Sequence, residues 1–257
     1  MTPFVSSILA GLLVAAMALV GFGSLLVAKN RLERFLLAIV AFAAGGLLGG
    51  AFFHLLPEGM ELNENALPIA LVGLIVFFVL DSLLWVYHCH AGHTLHDTHK
   101  HGHASCPPEK PVGWLNLMGD AIHNLTDGVV IASAFLVNPA LGWATTMAVA
   151  LHEVPQEIGD FGILIHSGMD RRKALILNGL VALTVLVGII GVFAAQEYVS
   201  GITAYTLPFA AGGFIYMACT NLLSEIKEES SLKRRAVQFV FFLLGLALLW
   251  FTRKTEH

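Results

Sequence analysis

Two polar islands interrupt an otherwise apolar chain, HNLTDG at residues 123–128 and HEVPQEIGD at residues 152–160. In a helix, residues four apart share a face. His123 and Asp127 make one such pair and His152 and Gln156 another, with Asn124 and Glu153 beside them. Imidazole, carboxylate and amide oxygen without thiolate suit a borderline divalent metal such as Zn²⁺ and admit Fe²⁺, Mn²⁺ and Cd²⁺, whereas thiol-selective Cu⁺ is disfavoured. Charge points the same way. Asp120, Asp127, Glu153, Glu157 and Asp160 lie between Pro111 and Asp170, a stretch without Lys or Arg, so a neutralising cation has to come from elsewhere. Asp127 and Glu153 would balance one dication, with His123, His152 and Gln156 adding uncharged donors. Glu157 is then left over, to complete a second site with Asn124 and Glu153 or to take a proton when metal leaves.

The scaffold that carries these residues is strongly apolar. Of 257 residues 56% are hydrophobic and 12% charged, with mean hydropathy +0.76, against a charged share of about a quarter in soluble domains. The expected fold is all-α and polytopic, one transmembrane unit over residues 1–257 with no soluble domain. Eight apolar runs are long enough to span, at about 4–28, 35–56, 66–87, 112–137, 141–167, 173–194, 204–224 and 236–251. The first lacks a basic segment before it and a small-residue cleavage site, so it reads as a retained helix, with a cleaved leader as the alternative. The net charge of −4 and the lack of a basic patch outside the connections argue against nucleic acid as a partner.

Basic residues near helix ends stay on the cytoplasmic side. Connections 1–2, 3–4, 5–6 and 7–8 hold Lys29, Arg31 and Arg34; Lys100 and Lys110; Arg171, Arg172 and Lys173; and Lys227, Lys233, Arg234 and Arg235, twelve of the fourteen in the chain. Both termini are therefore expected outside. The fourth run then travels outward and the fifth returns after the short turn Asn138, Pro139, Ala140. At 1.5 Å per residue His123 and His152 each lie roughly 16 Å from the start of their runs, near the midplane. Ionisable groups at that depth cost several kcal/mol unless paired or hydrated and mark functional sites; hydrogen-bonded glue between helices is the bland alternative. Pro155 should free the carbonyl of residue 151 and bend the fifth run, either opening backbone for an ion or making a plain kink. Gly45, Gly46, Gly49, Gly50, Gly188, Gly191, Gly212 and Gly213 read as close-packing positions. Outer triplets of runs 1–3 and 6–8 around a polar central pair would suit an inverted repeat.

The chain resembles the Zrt/Irt-like (ZIP) family of divalent metal transporters over nearly its whole length. The resemblance is carried by HNLTDG, HEVPQEIGD, HLLPE at residues 54–58, the eight apolar runs and a histidine-rich third connection. It implies cation movement into the cytoplasm through a central site on the fourth and fifth runs, with His123, Asn124, Asp127, His152 and Glu153 as ligands, and a dimeric assembly. Zn²⁺ is then the transported substrate, other divalent metals being alternatives. Gln156 departs from the family pattern, which commonly has a second His or a carboxylate there, and the sixth run has no carboxylate, which leaves a two-metal centre open.

Other residues extend this picture. His54 and Glu58, followed by Glu61 and Glu64 without a basic residue in that connection, form an acidic outer mouth that would concentrate cations, or a merely solvated loop. Asp120 and Asp160 lie one turn inward of the central donors and could relay the ion. The segment YHCHAGHTLHDTHKHGHASC holds seven of the twelve histidines, His88, His90, His93, His96, His99, His101 and His103, and is expected to act as a cytoplasmic metal buffer or sensor within the loop 88–111, with a disordered loop as alternative. Asn178, Asn221 and Glu225 are weaker exit candidates, and Asp81 could be a structural acceptor. Cys89, Cys106 and Cys219 make no disulfide framework, since the first two fall on the reducing side. One rival reading is an intramembrane zinc-dependent hydrolase, because HEVPQ approaches HExxH; others are an exporter and a non-transporting sensor. The compact chain suits a bacterial inner membrane, or otherwise a plasma membrane.

Overall fold

The computed structural model describes residues 1–24, 29–87, 110–199, 201–222 and 231–253, and all regular structure among them is helical. In chain order the helices are α1 (Pro3–Ala15), α2 (Ala18–Ser24), α3 (Lys29–Gly50), α4 (Leu56–Leu62), α5 (Ala66–Tyr87), α6 (Lys110–Val137), α7 (Pro139–His166), α8 (Arg171–Ala182), α9 (Thr184–Ala195), α10 (Thr203–Met217) and α11 (Leu232–Thr252). Wide π turns join α3 to α4 at Ala51–Leu55 and extend α10 at Ala218–Leu222. Five stretches among the described residues are long and apolar enough to cross a membrane: Pro3–Gly21, Leu36–Leu62, Val112–Val137, Arg171–Ala195 and Leu232–Thr252. The chain is thus polytopic. α7 is equally long at 28 residues but is interrupted by Glu153, Glu157 and Asp160.

Two of the apolar runs are bent rather than single rods. Between α1 and α2 the amides of Met17, Leu19 and Val20 bond three residues back, to Val14, Ala16 and Met17, which tightens the turn. At Leu183 the Thr184 hydroxyl donates to the Val181 carbonyl at 2.7 Å and contacts the Ala121 carbonyl of α6 at 3.0 Å; side-chain bonding of this kind bends helices. By contrast α7 runs unbroken through Pro155.

Glycines decide which helices touch. A methyl on Gly45 of α3 would land on the carbonyl of Phe242, and one on Gly245 of α11 on that of Phe42. The same reciprocal arrangement joins α5 to α10, through Gly73 on Phe209 and Gly212 on Ala70, and α6 to α9, through Gly128 on Val185 and Gly188 on Leu125. Without side chains at these points the backbones meet directly, the usual means of association where lipid removes the hydrophobic drive between helices. A single contact of the same type sets Gly21 of α2 on the Glu157 carbonyl of α7. α7 is central, packing against α1, α2, α3, α6 and α8.

Local caps place α7 relative to its neighbours. The Asn138 carboxamide oxygen accepts from the Leu141 amide at 2.7 Å and Pro139 opens the helix, so a one-residue link makes α6 and α7 antiparallel partners. Gly168, at φ 83°, ends α7 with the Met169 amide on the Leu164 carbonyl at 3.2 Å, a Schellman closure that needs a residue without Cβ. Asp170 then caps α8 through the amides of Arg172 at 3.0 Å and Lys173 at 3.3 Å.

Candidate metal centre

The α6 and α7 helices face each other along two polar rows. On α6 the row runs Asn116, Asp120, His123, Asn124 and Asp127; on α7 it runs His152, Glu153, Gln156, Glu157 and Asp160. The C-terminal part of the α6 row and the N-terminal part of the α7 row supply the densest cluster. His123, Asp127, His152 and Glu153 each bring one ligand-type atom to within 4.8 Å of the other three. His123 Nε2 lies 3.1 Å from His152 Nε2, 3.5 Å from Asp127 Oδ2 and 3.3 Å from Glu153 Oε1. His152 Nε2 lies 3.3 Å from Asp127 Oδ2 and 3.5 Å from Glu153 Oε1. Donors about 2.0–2.1 Å from a tetrahedral Zn²⁺ stand about 3.3 Å apart. Five of the six edges of this tetrahedron therefore have the length that a central ion requires.

The electrostatics agree with that geometry. Asp127, His152 and Glu153 are 3%, 1% and 1% exposed. Both Glu153 oxygens and Asp127 Oδ2 are buried without a hydrogen-bond partner among the described residues, a costly state for carboxylates unless a cation joins them. His152 Nδ1 sits 3.1 Å from the Ala148 carbonyl. Only a nitrogen bearing hydrogen can face a carbonyl, so in the neutral ring Nε2 presents a bare lone pair to the cluster. Phe214 of α10 packs edge-on against the same imidazole, ring centroids 6.0 Å apart.

The remaining residues expected from sequence are placed elsewhere. Asn124 and Gln156 are not in the four-residue cluster; both turn their nitrogens to Asp120 Oδ1, at 2.8 and 3.4 Å. Glu157 accepts a short hydrogen bond from Asn178 of α8, and Asp160 accepts one from Asn116 at 3.1 Å. His54 is buried in the π turn, its Nε2 on the Leu249 carbonyl of α11 at 2.9 Å and near Thr252 Oγ1 at 3.1 Å, and Glu58 follows one turn later in α4. Asp81 accepts from the Tyr216 hydroxyl at 2.7 Å. Cys219 is free and exposed. The seven loop histidines, Cys89, Cys106, Glu225 and the Asn221 side chain lie outside the described residues. Asn116 and Phe214 were not singled out by sequence. Asn116 was within reach of the four-residue spacing that links it to Asp120 and Asn124, whereas nothing in the sequence separates Phe214 from any other core aromatic.

The ZIP zinc transporter profile matches residues 3–112 and 88–253, nearly the whole chain. The chain belongs to the ZIP zinc transporter family. Among its relatives, the zinc transporter zipt-7.1 of Caenorhabditis briggsae is 28% identical over 86% of this chain and 72% of its own length. Zinc transporter ZIP13 of Pongo abelii is 32% identical over 82% and 65%, and zinc transporter SLC39A7 of Rattus norvegicus is 30% identical over 82% and 62%. The chain thus spans roughly two thirds of the length of the relatives it matches. The ZIP family consists of transporters, not enzymes, and the hydrolase alternative finds no footing in the site: Gln156, at the place of the second HExxH histidine, is held by Asp120.

Proposed function

We propose that this ZIP family member carries divalent cations, zinc foremost, across a membrane into the cytoplasm, and that the ion passes through a midplane site on α6 and α7. His123, Asp127, His152 and Glu153 hold it there, with the Asn124 and Gln156 oxygens as further donors and Glu157 at the edge of the site. The observation that carries this reading is the set of donor separations between 3.1 and 3.5 Å, matched to a tetrahedral ion. His54 and Glu58 stand at the outer mouth, and Asp120 and Asp160, on the inner side of the cluster, relay the ion inward. The histidines at 88–103 receive the ion in the cytoplasm.

The reading takes the eight apolar runs as eight spans with both termini outside, in a dimer. The glycine crossings support an inverted repeat of runs 1–3 and 6–8. Exchanging run 1 with 6, 2 with 7, 3 with 8 and 4 with 5 turns the α3–α11 crossing into the α5–α10 crossing, and the α6–α9 crossing into the α2–α7 contact at Gly21.

The test is zinc flux into proteoliposomes with zinc binding to the purified protein. Wild type should take up Zn²⁺, and His123→Ala and His152→Ala should lose binding and flux together. Undiminished flux in both variants would remove the central site from the path, and binding without any flux in wild type would make the protein a sensor.

A further inference from the structure

The most heavily used acceptor between α6 and α7 is not one of the four clustered residues. Asp120 is 5% exposed and lies one turn inward of His123. Its Oδ1 accepts from Asn124 Nδ2 at 2.8 Å and from Gln156 Nε2 at 3.4 Å, so one carboxylate touches both ligand-bearing helices. The Asn124 nitrogen also donates to the Asp120 main-chain carbonyl at 3.1 Å.

An ionised carboxylate and a carbonyl can only accept. The main-chain carbonyl fixes which end of the Asn124 amide faces residue 120, and Oδ1, the oxygen both amides approach, takes their nitrogens. The oxygens are left over. For Asn124, which is fully buried, Oδ1 has no hydrogen-bond partner among the described residues. A buried carbonyl oxygen without a donor is a ready ligand for a cation, and this one sits on the residue after His123.

We infer that Asp120 is a positioning residue for the central site, which holds the amides of Asn124 and Gln156 with nitrogens turned away and oxygens free to join the imidazoles and carboxylates around a passing cation. The inference rests on the transport site proposed above and gives Asp120 a role other than ligand or way-station. It also bears on metal choice. Oxygen donors favour Mn²⁺, whereas imidazole favours Zn²⁺, so the orientation of these amides sets how well a harder ion is tolerated.

The experiment measures Zn²⁺ and Mn²⁺ binding to the purified protein by calorimetry, and flux of each metal in proteoliposomes, for wild type, Asp120→Asn, Asn124→Ala and the double variant. In Asp120→Asn the new side chain offers a donor as well as an acceptor, and the main-chain carbonyl of residue 120 is left as the one partner that still fixes the Asn124 nitrogen. Loss of an orienting partner typically costs roughly 10–100-fold in metal affinity. Mn²⁺ binding should fall about tenfold and Zn²⁺ binding by clearly less, Asn124→Ala should shift the preference the same way, and the loss in the double variant should fall short of the product of the two single losses, the remainder passing through Gln156. Losses that multiply in the double variant, or an equal loss for both metals in Asp120→Asn, would make Asp120 an ion ligand in its own right and overturn the inference. If Asp120→Asn does not fold, Asn124→Ala alone decides: an unchanged Mn²⁺ to Zn²⁺ ratio sinks the positioning role. Failure of the underlying site is distinct, since wild type would then bind neither metal or His123→Ala would bind as wild type does.

Discussion

Helix α6 shows two opposite kinds of contact on two of its faces. Toward α9 it meets backbone on backbone, Gly128 and Gly188 each lying against the other helix's carbonyls. Toward α7 it meets imidazoles and carboxylates whose nearest approaches are 3.1–3.5 Å and whose oxygens in part have no hydrogen-bond donor. The first contact is complete with what the chain supplies. The second leaves buried carboxylate oxygens without a hydrogen-bond donor among the described residues, and the proposed cation would complete it. A helix fixed rigidly on one side can keep acids apart on the other without collapsing onto them, and this pairing is what lets an apolar bundle hold a polar gap at its centre.

That contrast can be broken from either side. The largest effect is expected at the open face, where His152→Ala removes a direct donor and should weaken zinc binding by more than about a hundredfold, beyond the usual loss of an outer partner; calorimetry on purified protein reads it. Gly128→Ala attacks the closed face by driving a methyl into the Val185 carbonyl, and should lower unfolding free energy by about 2 kcal/mol. Gly191→Ala, where a methyl meets nothing within 4 Å, is the control and should leave the melting temperature in detergent unchanged or raised. Equal behaviour of the two glycines would show that the crossing is not what fixes α6. Asn178→Ala sharpens the comparison, because it leaves a buried Glu157 oxygen without its donor yet removes no member of the clustered four; it should cost about 1 kcal/mol in thermal unfolding and little zinc affinity. The smallest change is Tyr216→Phe, which deletes the hydrogen bond to Asp81, about 0.6 kcal/mol by the average for such bonds within membranes.

The clustered donors were legible in the sequence in part: His123 and Asp127 follow from four-residue spacing and His152 from its matching depth on the next run, whereas the partner that spacing gave His152 was Gln156, with Glu153 only beside it, and the structure places Glu153 and not Gln156 in the cluster. The long helices α5, α6 and α7 were legible too, their ends falling within about two residues of the apolar runs. The partners of the remaining polar residues were not. Whether Gln156 reaches the clustered donors or Asp120 depends on how far α7 is rotated about its axis, which spacing leaves open. His54 finds its acceptor 195 residues away on α11, a separation over which sequence carries no pairing signal. The glycines were recognised as packing positions, but the carbonyl each one meets is a property of the assembled bundle. The bends at Ala16 and Leu183 were hidden because an apolar run looks the same whether or not one turn within it tightens.

The wide turn at Ala51–Leu55 has a consequence for length changes in the chain. A π turn takes up one more residue than an α-helical turn while the helix on either side keeps its facing. Upstream, Gly45 and Gly49 remain against α11, and downstream Gly59 remains against Pro208. Deleting one residue within 51–55 would therefore tighten the coil to ordinary pitch without rotating either flank, whereas the same deletion a turn earlier would swing every later side chain of that helix by about 100°. Within this helix, tolerance to shortening is thus concentrated in five residues, and His54, whose ring reaches α11 from within them, is the side chain that such a change would displace.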